Sequence, residues 1–171
     1  MRSFLLFILV ICMGCSSQPK LKSKDSFSVV LESCPEDGDC GLELLKKKRL
    51  VLKRDSLADL YYELEDSKDT DVVRYNYHRK NENQYADGAY REELTFEIKS
   101  EDLNLNLTGK HLQETKMVFG RFCYCKGETG YYKVENGTLV MKRQNKKNNL
   151  YIEFKIAQVP QVVSKIHAVL K

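Results

Sequence analysis

The sequence predicts a mainly β domain: an antiparallel meander of about nine to ten strands, closed as a barrel or stacked as a sandwich, with a short C-terminal helix. Three observations carry this. Apolar and polar residues alternate over run after run, the two-residue period of a half-buried strand. Clusters of Asn, Asp, Gly and Pro fall between those runs and mark turns. Ten Tyr and seven Phe occur without a single Trp, a composition suited to small strands.

Ahead of the first strand stands MRSFLLFILVICMGCSS. Arg2 is a charged start, Phe4 to Ile11 is an unbroken apolar run, and Gly14-Cys15 closes it. The run is well short of the roughly 20 apolar residues that cross a bilayer as a helix. A charged start, a short apolar run and small residues at the end make a secretory signal. Residues 1–14 therefore read as a leader, 15–25 as a polar tether containing Pro19, and 26–171 as a single β-rich domain. Hydrophobic residues at 42% with charged residues at 30% describe a globular chain. Taking Arg2 from the 28 basic groups leaves 27 against 24 acidic ones, too even a balance for a nucleic-acid partner.

Cys12-Met13-Gly14-Cys15 resembles the lipobox that ends the signal of bacterial lipoproteins, with a small residue directly before the Cys. The resemblance implies that Cys15 carries a thioether-linked diacylglycerol and becomes the mature N-terminus. Two or more palmitate-like chains, at about 0.8 kcal/mol per buried CH₂, hold a protein on a membrane lastingly. The layout is similar to small envelope lipoproteins of the Bacteroidetes type. By the enterobacterial pattern, Ser16 rather than Asp after the Cys implies the outer membrane. Lys20, Lys22 and Lys24, standing where surface-exported members carry acids, imply the side facing the periplasm.

Ser26 to Ser33 predicts the first strand, with Phe27, Val29 and Leu31 on one face. The Pro and Asp-Gly of Cys34-Pro35-Glu36-Asp37-Gly38-Asp39-Cys40 predict a hairpin turn into a second strand at Gly41 to Leu44, with both cysteines placed to bridge. Leu50-Val51-Leu52 is a short strand flanked by Lys46 to Arg49 and by Lys53-Arg54. Six acids follow between Asp59 and Asp71, so the basic run reads as a solvated hairpin turn. Residues 56–65 fit a helix through Leu57, Leu60, Tyr61 and Leu64, or a strand through Leu60, Tyr62 and Leu64. The strand is favoured because the polar turn after it leads into another alternating run.

Val73, Tyr75 and Tyr77, then Tyr90, Glu92, Leu94, Phe96 and Ile98, alternate with polar partners and predict two antiparallel strands with one wet face. On this reading His78 and Glu92 lie outside any core. Glu92 and Glu93 point to opposite faces and cannot form a carboxylate dyad. Leu103, Leu105 and Leu107 predict an edge strand, and His111 to Thr115 a helical turn. In MVFGRFCYCKGETGYYKV, Gly120 predicts a bulge or a close backbone approach. Lys126 to Gly130 and Glu135-Asn136-Gly137 predict hairpin turns, and Thr138 to Arg143 with Leu150 to Ile156 complete the meander. From Val159 the apolar spacing lengthens to three or four residues through Val162, Val163, Ile166 and Leu170, which predicts the closing helix with Pro160 at its start.

Besides Cys12 and Cys15, four cysteines remain: Cys34, Cys40, Cys123 and Cys125. An even count in an exported chain predicts disulfides, with three connectivities open. On a regular strand Cys123 and Cys125 would stand about 6.5–7 Å apart at Cα, at the limit for a bridge. Either the strand distorts to join them or both reach across to Cys34 and Cys40. A thiol or metal site at Cys123 and Cys125 is the sharper alternative, although the spacings do not match zinc knuckles.

The sequence lacks the zincin, nucleophile-elbow, phosphate-loop and dinucleotide motifs, and His78, His111 and His167 lack a local nucleophile. Asp66, Asp69 and Asp71 lack the Gly and distal Glu of a calcium loop. Asp55-Ser56-Leu57 resembles the acceptor motif of Bacteroidetes periplasmic O-glycosylation, which would place a glycan on Ser56. The expectation is an envelope lipoprotein without catalysis or cofactor that binds or builds, with membrane lipid and an envelope protein or glycan as partners. A periplasmic inhibitor of similar size and export, and a thiol or metal protein, are the alternatives. Intact mass of the membrane-extracted protein is expected to show diacylglycerol on Cys15, with four alkylations that appear only after reduction.

Overall fold

The computed structural model describes residues 29–31, 33–80, 89–101, 104–144 and 147–170. The leader and tether lie outside these residues, as do residues 26–28 of the first expected strand. Among the described residues, no helix is long and apolar enough to cross a membrane.

Twelve strands form among them: β1 (Val29–Leu31), β2 (Gly38–Leu45), β3 (Lys48–Arg54), β4 (Leu60–Asp66), β5 (Thr70–Arg79), β6 (Arg91–Lys99), β7 (Leu105–Thr108), β8 (Val118–Phe122), β9 (Gly130–Lys133), β10 (Gly137–Gln144), β11 (Lys147–Phe154) and β12 (Lys165–Leu170). All pairings are antiparallel, in two five-stranded sheets and one ribbon. The first sheet runs β1-β12-β11-β10-β7, the second β2-β5-β6-β8-β9, and β3-β4 stands apart. The strands stack as a sandwich rather than closing as a barrel. The expected edge strand before Gly109 is β7, at the rim of the first sheet, and the expected helical turn is a 3-10 helix over Gly109–Thr115.

One core fills the space between the sheets. Val73, Tyr75, Leu94, Phe96 and Phe119 from the second sheet meet Leu139, Met141, Leu150, Ile152, Phe154 and Ile166 from the first. Each set is every second residue of its strand, so the alternation read from the sequence is the core pattern itself.

The other face of the second sheet is not wet, contrary to the alternation. Glu93 and Thr95 on β6 are buried along with Leu50, Val72 and Val118, because the β3–β4 ribbon lies over them. The ribbon docks through side chains rather than a strand ladder. Glu97 Oε2 accepts from Leu50 N at 2.8 Å and from Lys116 Nζ at 2.9 Å, and Lys116 Nζ also donates to Leu50 O at 2.9 Å. Thr70 Oγ1 donates to Lys48 O at 2.9 Å, and Asp71 Oδ1 accepts from Lys47 N at 2.8 Å. These bonds satisfy backbone groups that the ribbon would otherwise bury unpaired.

Three expected connections differ. The Cys34–Cys40 segment is not a hairpin, since β1 pairs with β12 and β2 with β5; it carries the chain from one sheet to the other. Asn136-Gly137 is likewise a crossing, because β9 pairs with β8 and β10 with β11 and β7. Gly137 has φ 147°, and an added Cβ would meet Glu153 O at 2.2 Å, so the Asn-Gly flexibility is used to bend between layers. The C-terminal segment is strand β12, not a helix. Ile166, Ala168 and Leu170 alternate with Lys165, His167 and Val169, and β12 gains hydrogen-bonded neighbours on both sides, β11 and β1. Two ladders outweigh the weak three-to-four spacing, which counted Val159 and Val163, buried side chains of the preceding loop, as part of one element. Residues 56–65 are a strand from Leu60 onward, after a turn.

Gly120 is the close approach its position suggested. A Cβ there would stand 2.7 Å from both the Phe122 and Tyr131 rings, which lie across the bare backbone.

Candidate functional site

Both disulfides form locally. Cys34 bonds Cys40, with Cα atoms 5.8 Å apart, and Cys123 bonds Cys125, with Cα atoms 5.1 Å apart. The CxC pair thus closes on itself, on a bend just past β8, and does not reach the first pair. In the chain-entropy view, such short loops contribute only about 2 kcal/mol each or less, so their effect is local shape. Tyr75 Oη donates to Cys40 Sγ at 3.0 Å, which seats the first bridge against the core. The second bridge presents Tyr124 to solvent, 87% exposed. Behind it the loop is laced to itself: Thr129 Oγ1 donates to Cys123 O at 2.8 Å, and Glu128 N donates to Cys125 O at 3.2 Å.

A polar chain leads from this loop to the centre of the sandwich. Arg121, nearly buried, donates to Glu128 Oε2 at 2.7 Å and to Tyr90 Oη at 3.3 Å. Tyr90 Oη donates to Glu92 Oε1 at 2.5 Å. Glu92 is 1% exposed, and its two oxygens also accept from Val162 N at 2.6 Å and Val163 N at 2.7 Å. The expectation that Glu92 stands clear of the core is therefore overturned. Its parity with Leu94, Phe96 and Ile98 was the signal, since it faces the same way as the core residues. The Tyr90 ring carries the Arg79 guanidinium at 4.4 Å and that of Arg121 at 5.4 Å from its centroid. Asp37 accepts from Tyr77 Oη at 2.8 Å and Arg79 Nε at 3.1 Å. The Tyr77 hydrogen bond, aided by Arg79, holds the Asp37 carboxyl below its usual range despite an opposing desolvation.

Glu93, on the opposite face as its parity requires, is held by Tyr62 Oη at 2.5 Å, Thr95 Oγ1 at 2.9 Å and Tyr131 Oη at 3.4 Å. The rings of Tyr62, Tyr131 and Phe122 meet edge to face at 5.1 and 5.2 Å. Burial first, with the Glu93 charge assisting, pushes the Tyr131 hydroxyl well above the ordinary tyrosine range. Both oxygens of Glu92 are occupied and Glu93 Oε1 gathers three hydroxyls, so both side chains act as fasteners.

The ribbon tip lies beside β9. Asp55 Oδ1 accepts from Leu57 N at 2.8 Å and Asp59 N at 2.9 Å, fixing the turn, and Ala58 takes φ 67°. Leu57 projects from it, 79% exposed, next to the exposed Ser56. Between the tip and β9 opens a cavity of about 340 Å³, lined by Arg54, Asp59, Leu60, Tyr131, Tyr132, Lys133, Glu135 and Gln158. Tyr124 stands in the loop that leads into β9 and Leu57 on the ribbon that borders it. This rim is the candidate site: two rigid apolar tips with a charged cavity beside one of them.

Of the residues singled out in the sequence, Cys15 lies outside the described residues. Cys34, Cys40, Cys123 and Cys125 are in disulfides, and Ser56 is on the ribbon tip. His78, His111 and His167 sit on three separate elements, β5, the 3-10 helix and β12. Among the described residues, no three His, Cys, Asp or Glu side chains group so as to hold a metal ion. Leu57 and the Tyr90–Glu92–Arg121 chain were missed by sequence reasoning. No family model, curated protein or solved structure matches the chain.

Glu92→Ala leaves the N–H groups of Val162 and Val163 without their acceptor. Stability is expected to fall by about 2–5 kcal/mol in urea unfolding, with faster amide exchange at those two residues. Burial foremost pushes the hydroxyls of both Tyr75 and Tyr90 up to about 12 from 10.0. The folded state then keeps protons that the unfolded chain releases, so this stabilisation, complete below pH 10, is lost as pH rises through 12. Absorbance of tyrosinate should show late ionisation in that window, with one late-ionising tyrosine fewer in Tyr90→Phe.

Proposed function

We propose that the chain is a non-catalytic binding module of the bacterial envelope, anchored by lipid on Cys15 at the outer membrane and facing the periplasm. Its partner is an envelope protein, met at the rim beside β9. The observation that carries this reading is the pair of rigid exposed tips, Leu57 and Tyr124. A large apolar side chain in water gains free energy when a partner covers it. Tips already held by a disulfide and an Asp55-centred turn lose little conformational entropy on binding. Tyrosine is also among the side chains that most often dominate protein contacts. The Arg54, Asp59, Lys133 and Glu135 side chains around the neighbouring cavity supply a polar border for such a contact.

The same projecting Tyr124 favours a second reading, a protective inhibitor that inserts the Cys123–Cys125 loop into an enzyme cleft. Both readings use Tyr124, and identifying the cross-linked partner separates them. A photo-crosslinking residue at position 57 or 124 is expected to give one discrete adduct in intact envelopes, while the same residue at position 142 does not. With that partner purified, the double variant Leu57→Ala, Tyr124→Ala should bind roughly 30-fold or more weakly at unchanged melting temperature. Equal adducts at all three positions, or none, would sink the rim as a binding surface.

A further inference from the structure

The side of the first sheet where the chain enters the fold is a basic surface, and we propose that it rests on anionic phospholipid headgroups. This rests on the reading of Cys15 as the lipid anchor. Val29 pairs with Leu170, Leu170 with Asn148, and Asn148 with Arg143, so the first described residue shares a row with the closed end of the β10–β11 hairpin. Lys142, Arg143 and Lys147 are exposed on that hairpin. The sequence from 136 to 152 holds no Asp or Glu at all. None of the three cations forms an ion pair with another described residue.

The contrast with the far end of the sandwich is chemical. There Lys165 pairs with Glu153 at 3.3 Å, Arg121 with Glu128 at 2.7 Å and Arg79 with Asp37 at 3.1 Å. The corner of the second sheet at the near end is mixed, with Lys68 and Lys99 against Asp69 and Glu101. The positive field therefore comes from the hairpin, where Lys142 and Lys147 share one face of the sheet and Arg143 lies on the other at the same end, none of them in an ion pair among the described residues. Positions 16–28 can separate an acylated Cys15 from Val29 by no more than about 50 Å. The anchor thus keeps this end within reach of the bilayer, and charge decides which face turns toward it. Each cation close to an anionic leaflet raises partitioning about fivefold, an effect confined to about 10 Å at 0.1 M salt.

The test uses the processed protein purified from its membranes and mixed with vesicles of phosphatidylcholine, with or without phosphatidylglycerol. Lysine acetylation is then followed residue by residue by mass spectrometry. Lys142 and Lys147 are expected to react severalfold more slowly on the anionic vesicles only, with the protection lost at high salt and Lys126 and Lys155 unchanged. R143E, which keeps both reporters, should weaken that protection. Equal labelling of Lys142 and Lys147 on both vesicle types overturns the basic surface and leaves the anchor standing. Flotation with phosphatidylcholine alone reads the anchor; its absence, with protection still seen on anionic vesicles, sinks the anchor and keeps the surface. Protection in intact envelopes but on neither vesicle type gives the surface to an acidic protein and overturns the lipid assignment.

Discussion

The architecture depends on one buried carboxylate. Glu92 sits between the sheets and takes up Val162 N–H, Val163 N–H and the Tyr90 hydroxyl. A charge in that position is tolerable only because every oxygen is occupied; hydrogen bonds to an ionised group contribute about 1.5–3 kcal/mol each, against a desolvation cost of several kcal/mol. The arrangement joins β6 of one sheet to the loop before β12 of the other. Through Tyr90 and Arg121 it continues to Glu128, and so to the loop that carries the second disulfide. The shape of the exposed rim is therefore set from inside the molecule.

The second sheet is covered on both faces, and polar groups again make this possible. A two-stranded ribbon has too little apolar surface to dock by burial alone. Leu50 supplies the apolar contact, and Glu97, Lys116, Thr70 and Asp71 satisfy backbone groups along the ribbon. Glu93 gathers the Tyr62 and Tyr131 hydroxyls beneath it. Three consecutive odd positions of β6, Glu93, Thr95 and Glu97, thus serve a layer the alternation assigned to water.

Chemistry is divided between regions. Around β9 stand apolar tips with fixed geometry, suited to a protein surface. On the β10–β11 hairpin stand cations without an ion pair among the described residues, suited to diffuse anionic charge. At the far end of the sandwich the cations are matched by carboxylates and serve internal order. If the chain is tethered as proposed, this separation would let one region meet the membrane and another a partner, because a cation held in an internal pair has little field left for a distant leaflet.

Legible in the linear pattern were the mainly β class, most strand positions, the core faces of β5, β6 and β11, the opposite facing of Glu92 and Glu93, and the close approach at Gly120. These follow from the two-residue period and from steric demands that act within a single strand. Tertiary structure alone decided which strands pair: Cys34–Cys40 and Asn136-Gly137 look like hairpin turns but cross between sheets, because a turn-forming dipeptide permits reversal without naming the partner strand. It also decided that 165–170 is a strand, since two free edges, β11 and β1, were waiting on either side. The burial of Glu92 and Glu93 was settled the same way. Their cost depends on donors 31 to 71 positions distant in the chain, and no local pattern records whether such donors arrive.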